Sequence, residues 1–143
     1  MDPYLQAAMV EARQGELEGG VPIGSVLVVD GRIVARGRNR QSQMQSIIRH
    51  AEMDCIDQAS SLSPAEFRRA VLYTTLSPCD MCSGAILFFK IPKVVIGDNQ
   101  NILGAEDYLR SRGVELIVIN DEECIQMLRE FDRMEPGSWN KGE

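Results

Sequence analysis

Val71-Leu72-Tyr73-Thr74-Thr75-Leu76-Ser77-Pro78-Cys79-Asp80-Met81-Cys82 changes from one kind of secondary structure to another in its middle. Val71 to Leu76 is rich in β-branched and aromatic residues, which suit a pleated strand. Pro78 cannot donate to a ladder and biases Ser77 towards extended backbone, so the strand ends there. From Cys79 to about Phe89 the chain reads as a helix that stops before Pro92, and Lys93 to Gly97 is β-rich again. Strand, helix and strand in that order are the unit from which a sheet with helices on its faces is built.

Working outward, Asp2-Pro3 is a helix start, with Leu5, Ala8, Met9 and Ala12 at helical spacing before Gly15 and the Gly19-Gly20 break. Ser25 to Val29 and Ile33 to Gly37 flank Asp30-Gly31, a dipeptide suited to a tight hairpin turn. Residues 39–48 are polar and amide-rich and read as a loop. A helix over about Arg49 to Ala59 follows, and Ser63-Pro64-Ala65-Glu66 reads as a capping box with proline at the first helical position. Residues 104–112 read as a short helix closed by Gly113, and Val114 to Ile119 as an apolar strand. Asn120 with Glu123 opens a last helix reaching about Met134, stopped by Pro136-Gly137. This order predicts an α/β protein, a three-layer α-β-α arrangement around a five-stranded mixed sheet, in a single domain over residues 1–143. The last two strands, joined through a helix, are expected to pair in parallel with a right-handed crossover.

A chain of 143 residues with 44% apolar content can bury one continuous core. No apolar run approaches the roughly 18 residues of a membrane span. Met1-Asp2-Pro3-Tyr4 lacks the basic-then-apolar profile of a signal peptide, so the expected location is cytoplasmic, with no membrane partner. Fifteen basic against twenty-one acidic residues give a net charge of −6, which argues against a nucleic-acid partner, since phosphate contacts draw on Lys and Arg. Arg36, Arg38 and Arg40 alternate and read as a solvated sheet edge.

The chemistry sits in two short stretches, His50-Ala51-Glu52 and Pro78-Cys79-Asp80-Met81-Cys82, each at the start of an expected helix. Free N–H groups and the positive end of the helix dipole favour negative charge there, which helps keep thiols as thiolates. Cys79 and Cys82, three apart, share one helix face and can grip one ion. With a neutral His50 they offer zinc three nitrogen and sulfur ligands and leave a fourth position open. Two thiolates offset the metal's charge, so a nearby base is needed to deprotonate the solvent ligand, and Glu52 is placed for that role. The second nitrogen of His50 is expected to find an acceptor. A redox dithiol at Cys79 and Cys82 would leave His50 and Glu52 unused. A closed structural zinc site would need a fourth ligand, and His50 is the single histidine, so Cys55 or Cys124 would have to supply it. Both of these otherwise read as small buried apolar residues within helical patterns.

On these residues the chain resembles the cytidine-deaminase-like superfamily, whose signature is H-x-E…P-C-x-x-C, and within it the fungal-type cytosine deaminases. The resemblance covers nearly the whole length. It is carried further by Gly19-Gly20-Val21-Pro22-Ile23-Gly24, the run Leu72 to Cys82, Tyr108-Leu109 with Arg112-Gly113, Asp121-Glu122-Glu123-Cys124, and Trp139. It implies that His50, Cys79 and Cys82 hold one zinc per chain and that Glu52 shuttles protons. Asn39 would pair through its amide with the carbonyl and ring N–H edge of a pyrimidine. The Ala51 N–H would contact the base, the Ser77 carbonyl would face the amino group, Ile23 would line the pocket and Trp139 would close over it. The chain departs from the family at Ile102, where an aromatic lid residue is usual, and at Gly142, where an acid is usual; Glu143 is the candidate replacement. The implied activity is hydrolysis of a free nucleobase, cytosine to uracil plus ammonia, in pyrimidine salvage by a homodimer. Alternatives within the superfamily are a tRNA adenosine deaminase and a deaminase of guanine or another aminated heterocycle. From another class, a zinc-stabilised binding module without turnover has the same ligands.

Overall fold

α1 (Pro3–Leu17) opens the chain in the computed structural model, which describes residues 1–137. Asp2 caps it, its carboxylate accepting from the Tyr4 and Leu5 N–H groups at 2.8 and 3.2 Å. β1 (Gly24–Val29) and β2 (Arg32–Arg38) form an antiparallel hairpin. Asp30 and Gly31 both have positive φ, 52° and 77°, as a two-residue type I′ turn requires. The register slips after Leu27, so that Val34 is an extra residue in β2.

Residues 39–48, expected as a loop, contain one helical turn, α2 (Gln41–Met44), ended by Gln45 in the left-handed region. Nothing apolar in it is buried, so it carries no periodic signal. α3 (Ala51–Gln58) and α4 (Pro64–Phe67) follow, and both arms of the capping box are made: Glu66 N–H donates to Ser63 Oγ at 3.2 Å, and Ser63 N–H to Glu66 Oε1 at 3.0 Å. Then come β3 (Ala70–Thr74), α5 (Asp80–Phe88), β4 (Lys93–Ile96), α6 (Glu106–Ser111), β5 (Glu115–Val118) and α7 (Glu122–Met134).

The strands form the expected five-stranded mixed sheet, in the order β2-β1-β3-β4-β5. β1 runs antiparallel to both its neighbours, and β3, β4 and β5 are mutually parallel. Every residue of β1 is buried, because both faces of the sheet are covered. Val26 and Val28 pack with Ala8 of α1, while Leu27 and Val29 join Cys55 and Ile56 of α3, Ile86 of α5 and Leu109 of α6. On the α1 side Leu5 and Met9 also meet Cys124 of α7. The result is helix, sheet and helix in three layers. α3 lies directly on β2 at Gly37, where a Cβ would stand 2.3 Å from the Cys55 nitrogen.

The arginine row differs from its expectation. Arg36 is exposed on the edge strand, but Arg38 bonds Glu11 at 2.7 Å and Glu18 at 2.9 Å. Arg40, beyond the end of β2, places Nε 2.9 Å from the buried carboxylate of Asp54. The partners come from α1 and α3, which fold over that edge from distant sequence.

The functional consequence of this architecture lies at the carboxyl ends of the parallel strands, where α/β sheets hold their ligands. The loops following β3 and β4 meet there with the N-terminus of α5, and α3 begins alongside.

Candidate active site

His50 and Cys79 are the N-cap residues of α3 and α5, both with extended backbone, so each side chain projects from a helix start. Cys82 lies in the first turn of α5. Cys79 Sγ and Cys82 Sγ stand 3.4 and 3.5 Å from His50 Nδ1, and the three ligand atoms lie within 4.8 Å of one another. Tetrahedral zinc with bonds near 2.0 Å to nitrogen and 2.3 Å to sulfur requires ligand atoms roughly 3.5 Å apart. Two thiols and an imidazole at that spacing fit the ion in chemistry and in size, and no cysteine is tied up in a disulfide. Among the described residues no fourth His, Cys, Asp or Glu joins the cluster. Cys55 is fully buried in the core, and Cys124 donates its thiol to Met9 Sδ at 3.3 Å. Burial keeps both protonated, pushing Cys124 up to about 12.

The ligands share protons before any metal arrives. Hydrogen bonds from the Cys82 thiol and from His50 hold Cys79 down at about 4, as a thiolate, against the opposing effect of burial. The Cys82 thiol is pushed up, first by its bond to Cys79 and then by burial. His50 is raised, chiefly by the Cys79 sulfur. Metal binding therefore has to displace the proton of Cys82.

Glu52 is 4% exposed in the first turn of α3. Burial raises its carboxyl to about 7, with the nearby His50 charge acting in the opposite direction. The Thr74 hydroxyl has no partner at hydrogen-bonding distance, yet it is near enough to favour the ionised carboxylate. Ser25, paired with Thr74 across β1 and β3, has an equally unpartnered buried hydroxyl.

Three of the remaining candidates fall in one apolar cluster: Ile23, Ala51 and Ile102 pack with Val21, Leu76 and Leu128. Asn39 is 2% exposed and joined to Ile23 by a backbone bond of 3.0 Å. Its amide is engaged with Gln41, donating to Oε1 at 3.0 Å and accepting from the backbone N–H at 3.1 Å. Ser77 is buried, and its hydroxyl donates to Glu106 at 2.6 Å. Trp139, with Gly142 and Glu143, lies outside the described residues.

Three buried acids escaped the sequence reading, Asp54 and Glu106 in helices and Asp98 in the loop after β4. Asp54 accepts from the Arg38 N–H at 3.0 Å and from Arg40 Nε at 2.9 Å, anchoring the segment that carries Asn39 onto α3. Glu106 holds Ser77. Both sit in helical stretches where an acid ordinarily faces solvent; the one hint at Asp54 is that Cys55 and Ile56 beside it are apolar.

An α-β-α fold with an open site of one nitrogen and two sulfur donors beside a buried carboxyl defines the class of zinc-binding deaminases. Residues 2–98 match the family model described as the cytidine and deoxycytidylate deaminase zinc-binding region, and the chain belongs to that family. It is 41% identical over 138 residues to a cytosine deaminase of Candida albicans, covering 96% of this chain and 92% of that protein. It is 39% identical over 141 residues to a tRNA-specific adenosine deaminase of Bacillus subtilis, covering 91% and 87%. A solved structure from work on A-to-I editing by tRNA:A34 deaminases superposes with a TM-score of 0.68 at 31% identity, covering 81% of this chain and 96% of that one. The protein is thus a zinc-binding deaminase acting on a nucleobase or nucleoside.

Proposed function

We propose that this enzyme deaminates a free nucleobase, cytosine to uracil plus ammonia. The observation that carries the reading is that the candidate substrate residues lie together: Ile23, Ala51 and Ile102 pack in one apolar cluster, with buried Asn39 bonded to Ile23. As walls of a substrate pocket they would suit a flat ring whose polar edge is met by a few fixed groups. The 41% identity to a cytosine deaminase across nearly the whole chain supports it, and so does the net charge of −6.

His50, Cys79 and Cys82 would hold the metal. Zinc, when bound, supplies Lewis-acid activation of the attacking water. Glu52, with its carboxyl near 7, is suited to move the two protons of that water in turn, the first to the ring nitrogen and the second to the departing amine, which leaves as ammonia. Asn39 would exchange Gln41 for the carbonyl and ring N–H edge of the base, since an amide offers a donor and an acceptor side by side. The Ala51 N–H and the Ser77 carbonyl would fix the ring, the carbonyl accepting from the amino group, and Trp139 would close over it. Apolar walls then exclude bulk water from the reacting carbon. No helix among the described residues is long and apolar enough to cross a membrane, which is compatible with a cytoplasmic location.

A second reading, adenosine within tRNA, is favoured by the 39% identity to a tRNA-specific relative. Ammonia release by the zinc-loaded protein from cytosine, guanine, adenine and a tRNA anticodon stem-loop, assayed side by side, separates the two. Turnover of cytosine well above the others is the expected result. Turnover of the stem-loop alone would replace the proposal by the second reading, guanine alone would move it to a purine base, and zinc without turnover of any would leave a binding module.

We also propose a homodimer formed through the outer face of α3, α4 and α5. There Phe88, 78% exposed, stands beside a groove of about 500 Å³ lined by Met53, Ile56 and Phe67. Knob and groove on one face are self-complementary under a two-fold axis. Asp57 with Arg68 and Lys90 supplies both charge signs on the same face.

A further inference from the structure

Next to the proposed ligand set lies a buried acid with no place in the chemistry above. Glu106, the first residue of α6, is 2% exposed. Its Oε2 accepts from the Ser77 hydroxyl at 2.6 Å, and its Oε1 accepts from Asn99 Nδ2 at 3.4 Å and faces the Arg110 guanidinium at 3.6 Å. The Ser77 hydroxyl in turn accepts from the Gly104 N–H at 2.9 Å. Two backbone bonds run along the same strip: Ser77 N–H to Asp98 O at 2.8 Å, and Ala105 N–H to Pro78 O at 3.0 Å. The strands of chain are so close that a Cβ on Gly104 would stand 2.1 Å from Pro78 O. Residues 98–106 are thereby fastened to Ser77-Pro78. The next residue after Pro78 is Cys79, and the middle of the fastened segment carries Ile102.

We propose that Glu106 is a positioning residue, acting through Ser77 to fix both the turn that presents Cys79 to the metal and the loop that presents Ile102 to the substrate. A serine hydroxyl has one proton and can accept as well as donate. Glu106 takes that proton, which leaves the oxygen lone pairs to accept from Gly104. With the acceptor removed, the hydroxyl can turn, Asn99 Nδ2 loses its acceptor, and the strip keeps its two backbone bonds but loses the side-chain lock between them. Cys79 Sγ and the Ser77 carbonyl then lose their fixed places together. Displacement of a reacting or binding group by about 1 Å costs up to about 100-fold in rate, so a local loosening here is visible without unfolding the core.

The inference rests on the deaminase reading for its substrate arm but not for its metal arm. Zinc-loaded wild type, Glu106→Ala, Glu106→Gln, Ser77→Ala and the double variant Glu106→Ala/Ser77→Ala are compared. Zinc release into a colorimetric chelator is followed, and KM and kcat are measured with cytosine. Glu106→Ala should release zinc about tenfold faster and raise KM about tenfold with a smaller change in kcat. Glu106→Gln, which keeps an acceptor oxygen for Ser77 and remains folded if alanine does not, should recover most of both. The double variant should be no worse than the poorer single one, because the two residues act along one path. Wild-type zinc release and KM in Glu106→Ala, or effects of the two substitutions that simply add, would overturn the proposal. If wild type turns over no cytosine, it is the functional reading that has failed, and zinc release still decides the role of Glu106.

Discussion

Glu52 is a carboxyl group that burial draws towards its proton and the His50 charge draws away from it. In the zinc-free protein this has a consequence for stability. The folded carboxyl titrates at about 7, whereas an unfolded glutamate titrates at about 4.3. Between these values the folded state holds a proton that the unfolded state has released, so stability falls as pH rises through that window, by roughly 4 kcal/mol at most. Glu52→Gln removes the titration, and its zinc-free form should overtake wild type in urea midpoint on going from pH 5 to pH 8. A constant difference between the two across that range would contradict the buried placement of the carboxyl. Ile102 makes a second argument at this scale. It is partly buried against Ile23, Ala51 and Leu128, and a larger ring there would cover more of a bound pyrimidine. Ile102→Phe should lower KM for cytosine severalfold by added apolar contact; an unchanged or higher KM would move Ile102 out of the pocket wall.

The elements around the site are held by pairs that join distant parts of the chain. Arg38 at the end of β2 ties Glu11 and Glu18 of the α1 end to the sheet edge. The Arg38 bond holds Glu18 down at about 2 from an ordinary 4.5, so its stabilising effect is complete above 4.5 and is lost as pH falls towards 2. The urea midpoint of Arg38→Met should therefore lie below wild type at pH 6, with the gap closing between pH 4.5 and pH 2; a gap that does not close would assign the effect to packing of the arginine stem. Local signals of this kind separate what could be read from the chain from what could not. The Asp30-Gly31 turn, the Ser63 capping box and the Asp2 cap are each complete within a few residues, and the sequence shows them. α2 buries no apolar residue and leaves no period to find. The partners of Arg38 and Arg40 come from helices that fold over the sheet edge, which no local pattern reveals.

At the scale of the whole molecule, the mixed sheet and the three layers followed from the alternation of strands and helices, because each apolar face has to be covered. The proposed ligands were legible for a different reason: both groups sit at helix starts, so their roles are written in short local spacings. The supporting acids were not, since Asp54 and Glu106 are identified as buried only when the sheet brings Arg40 and Ser77 against them. The outer face of α3 and α5 gives a prediction of its own. Phe88→Glu should convert a dimer into a monomer in sedimentation, with little change in folding, because the side chain is 78% exposed in the isolated chain. An unchanged dimer would place the contact on another face.

The most direct test of the account compares Glu52→Gln with wild type for zinc content and for ammonia release from cytosine on the same preparations. The account predicts about one zinc per chain in both proteins and a rate lower by at least about 1000-fold in the variant, within the span of general acid–base contributions. Equal rates at equal zinc content would contradict it.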